Sequence, residues 1–182
     1  MSTQIKTGVV RLSYASVWEP RTIANNPNSK PKYSCSLIIP KSDTATISQI
    51  KAAIEEAKQA GIPKWGGKIP SPLKMPLRDG DVDRADDPAY ENSYFINATS
   101  NEAPDIVDGK RKPITDPMAV YSGCYIRALV NFYPFNANGN KGIACGLQCI
   151  QFWHHGEPLN GRVRAEDAFD DLDEEDTDDF LD

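Results

Sequence analysis

The sequence predicts a mainly β protein with one amphipathic helix and an acidic C-terminal segment. Three observations support this fold class. Several runs of β-branched and aromatic residues are bounded by Gly, Pro and Asn, one stretch has apolar residues at helical spacing, and charge is strongly segregated along the chain. A length of 182 residues suits one compact domain with a tail.

Charge divides the chain into two parts. Residues 166–182 contain eleven of the 26 acidic residues and none of the 20 Lys and Arg, so this segment carries −11 and the body before it +5. A block of like charge this dense buries little surface and is expected to be disordered. We therefore predict a folded domain over 1–165 and an acidic tail over 166–182. The tail ends with Asp178, Asp179, Phe180 and Leu181, an acidic-apolar pattern typical of a peptide that docks into a basic groove.

Composition also indicates the cellular setting. No run approaches the roughly 18 apolar residues that a membrane span needs, and the first residues contain no apolar leader, so we expect a cytoplasmic protein without membrane contact. Four cysteines lie in apolar runs and are expected to be buried thiols. A zinc site is disfavoured because the only close pair, Cys145 and Cys149, lacks the usual spacing.

The first half of the chain predicts two strands and the helix. Residues 6–14 and 33–39 are β-rich runs, and the segment between them, from Trp18 to Lys32, holds enough Pro and Asn to predict a long mobile loop. Ser42 or Asp43 offers an N-cap, and apolar residues then recur at helical spacing up to Gly61, which is expected to follow the helix as its C′ residue.

The second half predicts a third strand at residues 94–99 and a long β-hairpin, with arms at 123–135 and 143–153. In the first arm the alternating residues Ile126, Ala128, Val130 and Phe132 form the apolar face, which leaves aromatic and Arg side chains on the other. Five strands, one helix and long loops predict an OB-fold-like Greek-key barrel. The helix follows the second strand, whereas it more often lies between the third and fourth strands of this fold.

Catalysis has little support in the sequence. The histidines are adjacent in an expected turn, no nucleophile or phosphate-loop motif is present, and we expect neither an enzyme nor a cofactor. Asp79, Asp81 and Asp83 resemble the start of a calcium loop, but Arg84 stands where the loop needs Gly and Tyr90 where it needs Glu. A divalent-metal nuclease on these carboxylates is a weak alternative.

The body interleaves Lys and Arg with aromatic residues, which favours binding of single-stranded nucleic acid by base stacking and phosphate contacts. The stretch from Gly61 to Met75 is the clearest case, because Trp65 stands between lysines in a Gly- and Pro-rich segment. Either its ring is exposed for stacking, or it closes the end of the core. Residues expected to contact DNA are Trp18, Arg21, Lys32, Tyr33, Lys64, Trp65, Lys68, Lys110, Arg111, Tyr125, Arg127 and Tyr133.

On this reading the acidic tail competes with DNA for the basic groove and, once displaced, recruits other proteins. A non-enzymatic protein–protein adaptor is the alternative of a different class, and it would ignore DNA. Whether duplex DNA also binds, and whether the chain forms a homodimer, stay open at this point.

A family resemblance agrees with this interpretation. The segments PLRDGD at 76–81, YFINATS at 94–100, the two hairpin arms and the terminal DDFLD resemble bacteriophage single-stranded-DNA-binding proteins. The resemblance implies an OB-fold, coating of single-stranded DNA in phage replication or recombination in the host cytoplasm, and a tail that contacts replication proteins.

Overall fold

The computed structural model describes residues 3–22, 30–137 and 139–159. Its strands are β1 (Gln4–Lys6), β2 (Val10–Arg21), β3 (Lys32–Pro40), β4 (Leu77–Asp79), β5 (Ser93–Ser100), β6 (Asp105–Val107), β7 (Tyr125–Ala137) and β8 (Asn140–His154). The helices are α1 (Thr44–Gly61) and the short α2 (Gly80–Asp83), with 3-10 turns at Pro63–Trp65 and Pro88–Tyr90.

The main strands close into a five-stranded barrel. Strand β3 lies between β2 and β5 in antiparallel pairing, and β5 runs parallel to β8. Strand β8 is antiparallel to β7, which in turn pairs with both β1 and β2 and closes the ring. Because β1 and β2 share one partner, they act as a single bent strand. This Greek-key ring is the predicted OB-fold topology, and α1 follows its second strand, as the sequence indicates.

The first strand differs from the prediction in both its start and its end. The structure breaks the run at residues 7–9, where the Thr7 N–H donates to the carbonyl of Ala128 and the Gly8 N–H donates to Oγ1 of Thr46. These bonds tie the bend to β7 and to the start of α1. The strand also continues through Trp18 to Arg21, which the sequence assigned to a loop, because β2 pairs with β3 as far as Arg21 and Lys32.

The helix begins as predicted and ends differently. The carboxylate of Asp43 accepts a hydrogen bond from the Thr46 N–H, so Asp43 is the N-cap. Gly61 is the last helical residue rather than the C′ residue. A Cβ there would lie 2.6 Å from Cβ of Pro134, so Gly61 is required for close packing of the helix end on β7.

The hairpin is confirmed with register pairs from Tyr125–His154 to Ala137–Asn140. Ile126, Ala128, Val130 and Phe132 are buried in the barrel, each 1% exposed or less. Cys35, Cys124 and Cys145 are buried free thiols and Cys149 is half-buried. Within the described ranges, no helix is long and apolar enough to cross a membrane.

Candidate nucleic-acid interface

An open groove of about 450 Å³ runs beside β2. Strand β2 supplies one wall, and the residues just before β7 supply the other. The lining is mostly polar and aromatic, and it comprises Ser13, Tyr14, Ala15, Trp18, Arg21, Asp87, Pro117, Val120, Tyr121, Ser122 and Leu159.

Four of the predicted DNA-contact residues meet at one end of the β2–β3 ladder. The Trp18 ring is half-buried, and its Nε1 donates to the carbonyl of Val120 over 2.9 Å, which fixes the indole in the groove wall. Arg21 is directly opposite Lys32 in the ladder, and both are exposed. Tyr33 follows Lys32 and is half-buried. The groove wall therefore holds an immobilised aromatic ring and the cation Arg21, and Lys32 lies opposite Arg21 on the neighbouring strand.

The prediction that Trp65 presents an exposed ring is wrong. Its side chain is 5% exposed, and Nε1 donates to the carbonyl of Phe135 over 2.9 Å. The ring packs against Gly61 and closes the end of the core, which is the alternative that the sequence left open. Lys64 and Lys68 on either side are exposed. Trp65 thus holds its loop on the hairpin, and the loop presents its lysines to solvent.

The outer face of the hairpin carries Tyr125, Arg127 and Tyr133, as the alternation predicts. The ring of Tyr125 lies 4.4 Å from that of His154 at a tilt of 33°, and Nε of Arg127 donates to the carbonyl of Thr7 over 3.2 Å. Tyr133 is 39% exposed. None of the three is among the groove-lining residues named above.

Lys110 and Arg111 lie in a tight turn after β6. Oδ1 of Asp108 accepts hydrogen bonds from the N–H groups of Lys110 and Lys112 at 2.8 and 2.9 Å, and these bonds hold the pKa of Asp108 below its usual value. Arg111 has a φ of 66°. The turn projects both cations outward, and it too lies outside the groove lining.

The structure also identifies Tyr14, which sequence reasoning missed. Its φ of 45° is unusual for a residue with a side chain, and it lies where the β2–β3 register shifts between Ser13 and Ser16. The bulge turns the ring outward, so that 64% of Tyr14 is exposed at the groove. Cζ of Arg84 lies 6.0 Å from the ring centre. The strand pattern alone carries no signal of this bulge.

The aspartates that resemble a calcium loop have another partner. Nζ of Lys41 lies 3.0 Å from Asp79 and 2.8 Å from Asp81, and the hydrogen bonds raise the pKa of Lys41 and lower that of Asp81. An ammonium group therefore fills the position between these carboxylates. Among the described residues, no cluster of three or more His, Cys, Asp or Glu is arranged to hold a metal ion.

After β8 the chain returns to the groove. The Tyr121 hydroxyl donates to the carbonyl of Gly156 over 3.0 Å and lies 3.0 Å from Nδ1 of His155. The Leu159 N–H donates to the carbonyl of Ser122 over 2.9 Å, and the Leu159 side chain packs on the cluster of Ile38, Tyr90 and Phe95. The predicted docking residues Asp178, Asp179, Phe180 and Leu181 lie outside the described residues.

Known proteins resemble this chain over almost its whole length. A protein p50 of Acyrthosiphon pisum secondary endosymbiont phage 1 is 33% identical over 180 residues, covering 93% of this chain and 94% of that protein. The single-stranded-DNA-binding protein of bacteriophage Enc34, solved in complex with ssDNA, superposes with a TM-score of 0.78 at 26% identity, covering 87% and 90% of the two chains.

A more distant structure has the same fold. The protein gp2.5, a single-stranded-DNA-binding protein encoded by bacteriophage T7, superposes with a TM-score of 0.61 at 17% identity, over 90% of this chain and 98% of that one. The family model described as "Enterobacter phage Enc34, ssDNA-binding protein" matches residues 3–181. The chain therefore belongs to the Enc34 family of phage single-stranded-DNA-binding proteins.

Proposed function

We propose that the chain binds single-stranded DNA without sequence preference, during replication or recombination of phage DNA. The observation that carries this proposal is the placement of Tyr14, Trp18 and Arg21 in one groove wall, with Lys32 opposite Arg21 on the neighbouring strand. Membership of the Enc34 family supports it.

The chemistry of these side chains explains tolerance of sequence. Every base has a π-face, and stacking on an aromatic ring contributes about 1–3 kcal/mol per base. Arg21 and Lys32 supply charge for the phosphates, so affinity falls as salt rises because bound counterions are released. Neither interaction distinguishes one base edge from another.

The test is a titration of tryptophan fluorescence with oligo-dT, compared with an oligonucleotide of unrelated sequence. Trp18 lies in the groove, Trp153 is 49% exposed on the hairpin, and Trp65 is buried, so the three indoles report on different places. We expect Trp18→Phe to remove most of the quenching and Trp153→Phe, the matched control, to retain it. Quenching that survives in Trp18→Phe, or no quenching in the parent protein, would contradict the proposal.

We further propose that the acidic tail competes with DNA for this groove. Leu159 forms part of the groove wall, and Glu166 follows it by seven positions, which an extended chain spans in about 24 Å. Eleven negative charges tethered at that distance would act at high effective concentration on a body of charge +5. The apolar residues Phe180 and Leu181 would then be free to bind replication proteins whenever DNA displaces the tail.

Two measurements test the role of the tail. A chain that ends at Ala165 should bind oligo-dT more tightly than the full chain at low salt, and the difference should shrink as salt rises. Unchanged or weaker binding would rule out competition. Phe180→Ala together with Leu181→Ala should leave DNA affinity unchanged and abolish capture of the phage replication or recombination protein; retained capture would rule out recruitment through the tip.

A further inference from the structure

Carboxylates are missing from two long stretches of the body. Residues 57–78 and 117–156 contain no Asp or Glu, and together they contain seven Lys and Arg: Lys58, Lys64, Lys68, Lys74, Arg78, Arg127 and Lys141. By contrast, the neighbouring residues 79–91 hold six acids and one Arg. Charge is therefore segregated within the folded body as well as between the body and the tail.

The fold brings the two acid-free stretches together at the far end of the β7–β8 hairpin. Lys74 donates its N–H to the carbonyl of Lys141, and its own carbonyl accepts from the N–H of Ile143. On the other arm, Nζ of Lys64 lies 3.5 Å from the carbonyl of Pro134. The buried Trp65 anchors the loop to the same rung through Phe135. We call Lys64, Lys68, Lys74 and Lys141 the hairpin-end lysines.

These cations have no carboxylate partner within the described ranges, although Lys41 and Lys58 do form ion pairs. Lys64, Lys68 and Lys74 are exposed, and Lys141 is half-buried. Tyr133 on the same arm of the hairpin is 39% exposed. None of the four lysines lines the groove beside β2.

We propose that the hairpin-end lysines form a second contact for the same single strand, which binds its phosphodiester backbone by charge alone. This inference rests on the proposed function, because the groove supplies the stacking contact. The two sites differ in chemistry: the groove offers aromatic rings with adjacent cations, and the hairpin end offers ammonium groups held on a firmly anchored loop. A DNA strand that continues past the groove to the hairpin-end lysines gains affinity from them only through counterion release.

This division makes the two contacts separable by salt. For single strands, the slope of log K against log salt concentration changes by about 0.7 for each phosphate neutralised. The double variant Lys74→Gln, Lys141→Gln should therefore reduce the slope by about 1.4, and adding Lys64→Gln and Lys68→Gln should reduce it by about 2.8. If the double variant and the parent bind equally at about 1 M salt, this difference in slope gives the variant an affinity on the order of tens-fold lower than the parent's near 50 mM salt. Its maximal Trp quenching should match that of the parent, because Trp18 is unchanged.

The matched control is Lys6→Gln with Lys51→Gln, which removes two exposed charges from β1 and α1. We expect the parent slope in this control. All variants should keep the parent melting temperature, since the backbone hydrogen bonds of Lys74 and Lys141 remain and none of the replaced lysines is in an ion pair within the described ranges. An equal loss of slope in the control would show an effect of net charge and overturn the inference. Tighter binding by the hairpin-end variants would show that these lysines hold the acidic tail instead, and would overturn it too.

One pattern separates this inference from the proposed function. If the parent binds oligo-dT with salt-dependent quenching and the hairpin-end variants bind with the same slope, the groove stands and the second contact is refuted. If the parent itself fails to bind, the proposed function is wrong, and the second contact falls with it.

Discussion

The variant Trp65→Phe tests whether Trp65 stabilises the fold or stacks on a DNA base. The indole is 5% exposed, and its N–H bonds the carbonyl of Phe135. The variant loses that bond, leaves the part-buried carbonyl of Phe135 without its donor, and removes one ring from a packed site. A buried polar group without its partner costs about 1–3 kcal/mol, and the smaller ring adds to this, so we expect a loss of about 2–3 kcal/mol in the free energy of unfolding.

Urea denaturation followed by circular dichroism measures this loss. With a slope of about 2 kcal/mol per molar urea, the midpoint should fall by roughly 1 M. Trp153→Phe, at a site 49% exposed, should change the free energy of unfolding by less than about 0.5 kcal/mol. Affinity of Trp65→Phe for oligo-dT should stay within about twofold of the parent under native conditions, since the ring is inaccessible to a base. Unchanged stability with a tenfold loss of affinity would refute this reasoning.

Three further outcomes are expected. Tyr14→Gly relieves the positive φ and should raise the free energy of unfolding by up to about 1 kcal/mol. The same variant should bind oligo-dT about tenfold more weakly, because it lacks the stacking ring. A drop in stability would show that the exposed ring has a packing role. The hydrogen bond from Lys41 lowers the pKa of Asp81 from 3.8, so the stabilisation that Asp81 provides is present above that value and is lost as pH falls through the lowered pKa. Asp81→Asn should therefore destabilise the protein at neutral pH and less so in acid, as measured by urea midpoints from pH 7 to pH 2. Equal destabilisation at both ends of this range would contradict the expectation. Burial raises the pKa of Cys35 to about 12, so a thiol reagent at pH 8 should label the half-buried Cys149 first and Cys35 only on unfolding. Rapid labelling of Cys35 in the folded protein would contradict its burial.

Periodicity made the regular elements predictable. The alternation of Ile126, Ala128, Val130 and Phe132 is a strong signal because one face of that strand fills the barrel, and a one-residue slip would expose all four. Helix α1 was equally clear, since its apolar spacing and the Asp43 cap are local properties of the chain. Ring closure follows from the number and order of such strands.

The site was less predictable because it depends on contacts that are distant in sequence. Trp65 stands among Gly, Pro and Lys, a setting typical of an exposed loop, yet its partner Phe135 is 70 residues away. Tyr14 looks like an ordinary strand residue, and only the register shift against β3 turns it outward. The proximity of Trp18, Arg21 and Lys32 was predictable because these residues flank one loop, and their contact with DNA stays a prediction.

The closure of the barrel by β7 sets the order in which the chain can fold during synthesis. Gln4 pairs with Asn131, so β1 has no hydrogen-bonded strand partner until well over one hundred further residues have been synthesised. Until then the β1–β2 edge and the inner face of the sheet stay open, and contacts this far apart in sequence fold slowly. The sheet therefore stays unsealed until the β7–β8 hairpin has been synthesised, and only then can the barrel close.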